Sequence, residues 1–256
     1  MKPWDAILAA SAREGGAAFL PLIDQERVEP ADCRAFAETL TEAGADGILV
    51  GSSFCIADRL DGVVRELKRG TDLPVILFPG NAHHVSRHAD AILFLTLLSG
   101  RNPQYLAEEQ VRAAPRVREA EIEPIATAYL LVGGAGSRTV HFVSGSPPIP
   151  GDRPEIAMAH ALAAEYMGMR AVYLEAGSGA EAPVPPAVIR KVRDYVSIPV
   201  IAGGGIRTPE QAAAAREAGA HVVVIGHTFE EDASPARLRA FARALHGPVI
   251  PTAAGD

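Results

Sequence analysis

Two carboxylates stand where apolar strands run out. In LPLIDQER, Asp24 follows directly on an apolar run, and in VYLEAGSGAEAPV, Glu175 closes a strand before the chain breaks into Gly177, Ser178 and Gly179. In a parallel α/β protein the loops at the C-terminal ends of the strands carry the chemistry, so both carboxylates should point over one face of the sheet. A hard cation such as Mg²⁺ takes one or two carboxylates and completes its shell with substrate phosphate oxygens. Ser53, in VGSSF at the end of the second strand, is a further oxygen for such an ion. Asp24 is too far from the next helical residues, near Pro30, to serve as an N-cap. Its neighbours Glu26 and Arg27 read equally well as a solvated pair in the loop.

Anion chemistry is expected at the other end of the chain. IPVIAGGGIRTPEQ and AHVVVIGHTFEE each place glycines after an apolar strand: Gly203, Gly204 and Gly205 in the first, Gly226 with His227 in the second. Paired glycine loops after the last two strands of a barrel commonly hold a phosphate on backbone N–H groups. His227 contributes either its amide alone or its ring as well. The histidines of NAHHVSRHAD, His83, His84 and His88, lack a steady ligand spacing and have Arg87 among them, which disfavours a transition-metal site.

The elements that must position these groups alternate along the chain. Short β-rich runs, AAFLPLI, GILVG, PVILF, AILFL, IEPIATAYLLV, AVYLE, PVIAGG and HVVVIG, are separated by Ala/Arg/Glu-rich stretches of helical period. Helices are expected over residues 31–43, 57–68, 105–118, 154–167, 186–196, 209–218 and 235–246, and Thr208-Pro209-Glu210-Gln211 opens one with a capping box. Eight strands in this alternation point to a (β/α)₈ barrel, with a doubly wound open sheet as the alternative. Between Phe78 and Ala91 the PGNAHHVSRHAD segment is too short for a crossover helix with its loops, so the third helix should be missing or replaced by an extended segment. VGGAGSRTVHFVSGSPPIPGDRP, after the fifth strand, reads as a hairpin-like excursion over the barrel top.

A chain of 256 residues, 48% hydrophobic, can bury one large core, so residues 1–256 are expected to form a single domain with a short amphipathic helix over 4–14 and a tail over 247–256. The formal charge of −7, without a basic run, disfavours a nucleic-acid partner. Cys33 and Cys55 lack metal-ligand spacing and suit a reducing, cytoplasmic setting. The longest apolar run, near AILFLTLL, is far short of the ~20 residues that span a bilayer.

In combination, LID-x-E from Leu22, GSS from Gly51, LFPGN from Leu77, SRHAD from Ser86, LLSGRNP from Leu97, YLEAGSGA from Tyr173, GGGIR from Gly203 and VVVIGHT from Val222 are specific. Over nearly its whole length the chain resembles the geranylgeranylglyceryl phosphate synthases, PcrB-like prenyltransferases, and LFPGN with YLEAGSG is closest to the second of their two groups. The resemblance implies a modified TIM barrel with a replaced third helix. It implies Mg²⁺-dependent transfer of a polyprenyl group, geranylgeranyl first among the candidates, from its diphosphate to the sn-3 hydroxyl of sn-glycerol 1-phosphate. Carried over by position, Asp24 and Ser53 would ligate Mg²⁺. Tyr173, Leu174, Glu175, Ala176, Gly177, Ser178 and Gly179, with Gly204, Gly205, Gly226 and His227, would hold glycerol phosphate. Glu175, assisted by Tyr173, would be catalytic, taking the proton of the acceptor hydroxyl as the ether forms.

The family also implies a homo-oligomer, dimer or hexamer, and the amphiphilic substrates imply peripheral contact with a membrane surface. Three positions depart from its pattern: Gln25 stands where proline is usual, Ser52 where glycine is frequent, and His227 where asparagine is frequent. A related branch, the farnesyltransferase of moenomycin assembly, uses 3-phosphoglycerate with farnesyl diphosphate, and a sugar-phosphate isomerase or aldolase would share the barrel and its phosphate loops. Chain length would be set by an apolar groove, for which Leu93, Leu95, Tyr105 and Tyr129 are candidates.

Overall fold

In the computed structural model, which describes residues 1–12, 15–57, 59–133 and 139–247, every strand pairing is parallel. The strands are β1 (Ala18–Ile23), β2 (Ile48–Val50), β3 (Val75–Leu77), β4 (Ala91–Thr96), β5 (Glu123–Gly133), β6 (Ile149–Pro150), β7 (Ala171–Glu175), β8 (Val200–Gly203) and β9 (Val222–Ile225). Their order is β4-β3-β2-β1-β9-β8-β7-β5, with β6 beyond β5, and the β4–β5 pairing closes the eight long-range neighbours into a barrel. Closure excludes the open doubly wound sheet. The helices are α1 (Pro3–Ser11), α2 (Pro30–Ala43), α3 (Leu60–Gly70), α4 (Glu109–Ala120), α5 (Thr139–Ser144), α6 (Pro154–Tyr166), α7 (Pro186–Arg193), α8 (Pro209–Glu217), α9 (His227–Glu231) and α10 (Pro235–His246). The capping box at the start of α8 forms on both sides, Thr208 to Gln211 and back.

The period of two along each strand divides the apolar residues into two cores. Phe19, Leu174, Val200 and Val223 face outward into the layer shared with the helices, whereas Leu20, Leu49, Tyr173 and Ile201 fill the barrel interior. Asp24, Ser53, Glu175 and Gly226 are therefore the upper ends of inward rows, each two or four residues beyond a buried inward side chain.

No helix lies between β3 and β4. That segment is tied down by polar contacts instead. The buried Ser86 donates its hydroxyl to Asp61 of α3 at 2.6 Å, and Asp90 accepts from Lys68 of α3 at 2.9 Å and from the Val75 amide at 2.7 Å. His84 accepts the Gly80 amide at 3.1 Å and His88 faces Asp61 at 3.4 Å, so these histidines belong to the same local scaffold.

The stretch after β5 differs from the expected hairpin. β6 pairs in parallel with Val132 and Gly133, and α5 lies between the two strands; a hairpin needs antiparallel strands joined by a tight turn, and a helical crossover produces the parallel arrangement seen. Residues 134–138 of that stretch, Asp58, and the expected tail from 248 onward lie outside the described residues.

The expected N-terminal helix begins and ends earlier than 4–14, and it plugs the barrel's lower end. Trp4 and Ile7 are buried with the barrel-interior residues. The Trp4 amide donates to Glu123 at 3.0 Å, and Glu123 pairs with Arg170 at 2.6 Å. Trp4→Ala should therefore remove about 3–5 kcal/mol of stability, seen as a lower denaturant midpoint at unchanged slope; an unmoved midpoint would mean that the barrel floor closes without α1.

Candidate functional site

A cleft of about 1540 Å³, measured out to its open mouth, lies over the C-terminal ends of the strands. Its polar end is lined by Asp24, Ser53, Glu175, Ser178, Gly204, Gly205, Arg207, Gly226 and His227. Thus both carboxylates, the serine and both glycine loops share one cavity. Not every residue of the 173–179 run faces it. Leu174 and Ala176 turn outward into the barrel–helix layer, as alternation along a strand requires, and the Gly177 amide is taken by Glu175.

The floor beneath this end is aromatic. Phe78 and Tyr173 stack with centroids 5.2 Å apart, and Tyr129 meets them edge-on at 5.7 and 5.4 Å. Glu175 sits above these rings and is 5% exposed. Burial raises its carboxyl from an ordinary 4.5 to about 7, and the Gly177 amide, donating at 2.6 Å, and the neighbouring Tyr173 phenol offset only part of that rise. Burial also holds the phenols of Tyr129 and Tyr173 well above their ordinary value, so both keep their protons. The Tyr173 hydroxyl is near enough to Glu175 to affect it, yet it completes no hydrogen bond of its own. A buried donor without a partner beside a half-ionised carboxyl is a site built to receive a polar group.

The glycines of the 203–205 loop serve these two side chains. A Cβ on Gly203 would collide with the Tyr173 hydroxyl. A Cβ on Gly204 would collide with the Glu175 carboxylate and lie 2.8 Å from the Gly177 nitrogen, and its backbone adopts φ +79°, which favours glycine. Gly205 abuts Ala182 and Pro183 in the same way.

Asp24 accepts the Glu26 amide on Oδ1 at 3.0 Å, and Ser53 lines the cleft on the adjoining loop. Glu26 and Arg27 do not pair with each other as a solvated couple. Glu26 accepts the amides of Ile56 and Ala57 at 3.1 and 3.0 Å, while Arg27 reaches Glu230 at 2.8 Å. The His227 ring meets the same Glu230 oxygen at 2.9 Å, so its side chain is engaged at the mouth. Among the described residues no three His, Cys, Asp or Glu side chains come together as a ready-made metal cage. A cation at Asp24 and Ser53 would draw most of its shell from substrate oxygens, the habit of Mg²⁺.

From the polar end the cleft continues as an apolar arm past Phe94, Leu95, Leu97, Tyr105, Val140 and Val143. Leu95, Tyr105 and Tyr129 line the cleft as expected of a groove, whereas Leu93 is packed in the barrel interior. A π-helical turn, Gln104–Glu108, leads into α4 and shapes one wall. The Tyr105 carbonyl accepts both the Leu97 amide at 3.0 Å and the Gln110 side chain at 2.9 Å. Arg207, Glu230 and Phe78 were not singled out in the sequence. Arg207 stands two residues beyond the glycines, where its spacing alone could have marked it, and it donates to the Ala180 carbonyl at 3.4 Å. Glu230 carries no signal of its contact with Arg27, which reaches it from the loop after β1, although its other partner, His227, lies three residues away in the same helix.

The profile of the PcrB family matches residues 12–245. The chain is 42% identical over 233 residues to the geranylgeranylglyceryl phosphate synthase of Chitinophaga pinensis, covering 91% of this chain and 92% of that one. It is 47% identical over 219 residues to the enzyme of the same name from Thermococcus gammatolerans, covering 85% and 86%. The crystal structure of (S)-3-O-geranylgeranylglyceryl phosphate synthase from Thermoplasma acidophilum, in complex with sn-glycerol-1-phosphate, superposes with a TM-score of 0.90 at 39% identity over 96% of this chain and 99% of that one.

The raised value of Glu175 links the site to stability. Its folded value exceeds its unfolded one, so the contribution is full below about pH 4.5 and is lost as pH rises through about 7. Relative to Glu175→Gln, the wild-type protein should lose up to roughly 3 kcal/mol between about pH 5 and pH 8. Urea midpoints of both proteins at the two pH values measure this, and parallel behaviour would mean that Glu175 titrates as an ordinary surface carboxyl.

Proposed function

The chain belongs to the PcrB family, and on that premise we propose that it joins a polyprenyl group, geranylgeranyl first among those expected, to the sn-3 hydroxyl of sn-glycerol 1-phosphate. The observation that carries the reading is Glu175: a buried carboxyl held near 7, between the glycine loops and the apolar arm of one cleft. Glycerol phosphate would lie with its phosphate against the backbone at Gly204, Gly205, Gly226 and His227, where aligned N–H groups and the Arg207 guanidinium favour an anion. Its sn-3 hydroxyl would then reach Glu175.

As the ether bond forms between that hydroxyl oxygen and C1 of the prenyl chain, the C1–diphosphate bond breaks and Glu175 takes the hydroxyl proton. A carboxyl near 7 matches this task at neutral pH, because it is substantially ionised to begin with and holds the proton once it has it. The Tyr173 phenol, protonated and unpartnered, would donate to the acceptor oxygen or to Glu175 and fix their alignment. Asp24 and Ser53 would hold Mg²⁺, which neutralises charge on the departing diphosphate. The apolar arm would exclude water from the allylic chain, so that the acceptor hydroxyl is the nucleophile within reach.

Among the described residues no helix is long and apolar enough to cross a membrane. Phe54, Ile56 and Phe142 are 61%, 89% and 84% exposed on the loops and helix that border the cleft, and they support a peripheral contact with a lipid surface as substrate enters and product leaves. A single domain over the chain and a homo-oligomer complete the proposal.

The test is Mg²⁺-dependent transfer to radiolabelled glycerol 1-phosphate, glycerol 3-phosphate or 3-phosphoglycerate from farnesyl, geranylgeranyl and heptaprenyl diphosphates. Butanol-extractable label from glycerol 1-phosphate is the expected outcome, and label from 3-phosphoglycerate alone would assign the chain to the moenomycin-type reaction. Glu175→Gln should lower turnover by ~10²-fold or more with the fold intact; near-normal turnover would remove Glu175 from the role of base.

A further inference from the structure

Asp24, which the proposed function makes a magnesium ligand, has a competing cation built in beside it. Arg27 lies three residues on, in the same loop, with its Nε 3.7 Å from Asp24 Oδ2. That is a long ion-pair contact, beyond hydrogen-bond distance. The guanidinium Nη1 is instead drawn to Glu230 at 2.8 Å, across the mouth of the barrel, on α9. Glu230 lines the same cleft as Asp24, and the oxygen that holds Arg27, Oε2, also meets Nδ1 of His227 at 2.9 Å. One carboxylate thus restrains the cation of the first-strand loop and orients a side chain of the glycerol-phosphate loop.

We infer that Glu230 is a positioning residue: by holding Arg27 away from Asp24, it keeps the Asp24 carboxylate available to a divalent cation. The inference rests on the reading of Asp24 as a cation ligand. An arginine fork matches a carboxylate in geometry and charge, so an unrestrained Arg27 would occupy the oxygen that the metal requires. Arg27 is 59% exposed and Glu230 21%, so water screens the contact and the effect is modest in size. It is nevertheless specific, because it acts on one carboxylate through one guanidinium.

A double-mutant cycle on the full chain separates this from a general change of charge. The probe is Mn²⁺ binding in the presence of inorganic diphosphate, followed by the loss of free Mn²⁺ signal in electron paramagnetic resonance, with the Mg²⁺ concentration for half-maximal turnover as a second readout. Glu230→Ala should weaken the cation by about fivefold, the order of one exposed ion pair, in both readouts. Arg27→Met alone should change it by less than about twofold, and Arg27→Met in the Glu230→Ala background should restore it to within about twofold of the wild type. If Arg27→Met tightens the cation equally in both backgrounds, the two charges act independently and the inference is overturned. It is overturned too if the double variant stays as weak as Glu230→Ala, since Glu230 would then act on the metal directly. Asp24→Asn tests the premise separately: it should abolish the Mn²⁺ site, and an intact site would sink the metal reading itself rather than the role of Glu230 alone.

Discussion

A carboxylate removed from water above a layer of rings is the constraint around which this barrel is arranged. Glu175 is 5% exposed above the stacked Phe78 and Tyr173, with Tyr129 at their edge, and the phenols of the two tyrosines are too weakly polar to replace the water it has lost. Burying a charge without a partner is costly, and the protein answers in two ways. One hydrogen bond comes from the Gly177 amide, and the rest of the cost appears as a proton affinity raised to about 7. The affinity that penalises the folded state at high pH is the affinity a general base needs at neutral pH, so the strain and the chemistry have the same origin.

The surroundings follow from that group. Gly203 and Gly204 have no side chains because the Tyr173 hydroxyl and the Glu175 carboxylate occupy the space that a Cβ would need. The rings must sit at a fixed height, which requires a filled barrel below them; Leu20, Leu49 and Ile76 supply it, and α1 closes the bottom with Trp4 and Ile7. A helix at one end of the barrel is in this sense part of the support for a carboxylate at the other.

Much of this could be read along the chain, and the reasons differ by element. The eight barrel strands were legible because parallel strands buried on both sides are continuous apolar runs, and the lost third helix was legible because twelve residues cannot hold a crossover helix together with its loops. Glu175 and Asp24 stood out because a charge at the end of such a run has few bland explanations. Leu174 and Ala176 did not separate from their neighbours, since a motif names a stretch while strand alternation turns every second residue away. The parallel β6 was hidden because a Gly/Ser/Pro-rich stretch looks alike whether it turns back or crosses over. Arg27 with Glu230, from opposite ends of the chain, is a contact that only closure of the barrel brings about.

The two ends of the cleft are built on different physical principles. The end proposed for the acceptor takes its shape from backbone: strand ends and glycine loops whose missing side chains make room for Glu175 and Tyr173. The donor end takes its shape from side chains that lace two loops together. Glu26 accepts the amides of Ile56 and Ala57 from the loop that carries Ser53. Gln25 is 1% exposed and donates its amide to the Cys55 sulfur at 2.8 Å, so it supplies one more tie between the same two loops. A proline would fix this loop by restricting its own φ, whereas the glutamine fixes it by gripping its neighbour. Asp24 and Ser53 are thereby held to each other through three hydrogen bonds rather than through a rigid turn. On the proposed reading, a donor site laced in this way would adjust to a diphosphate and a cation that arrive together, while the acceptor site beside it would stay fixed around Glu175.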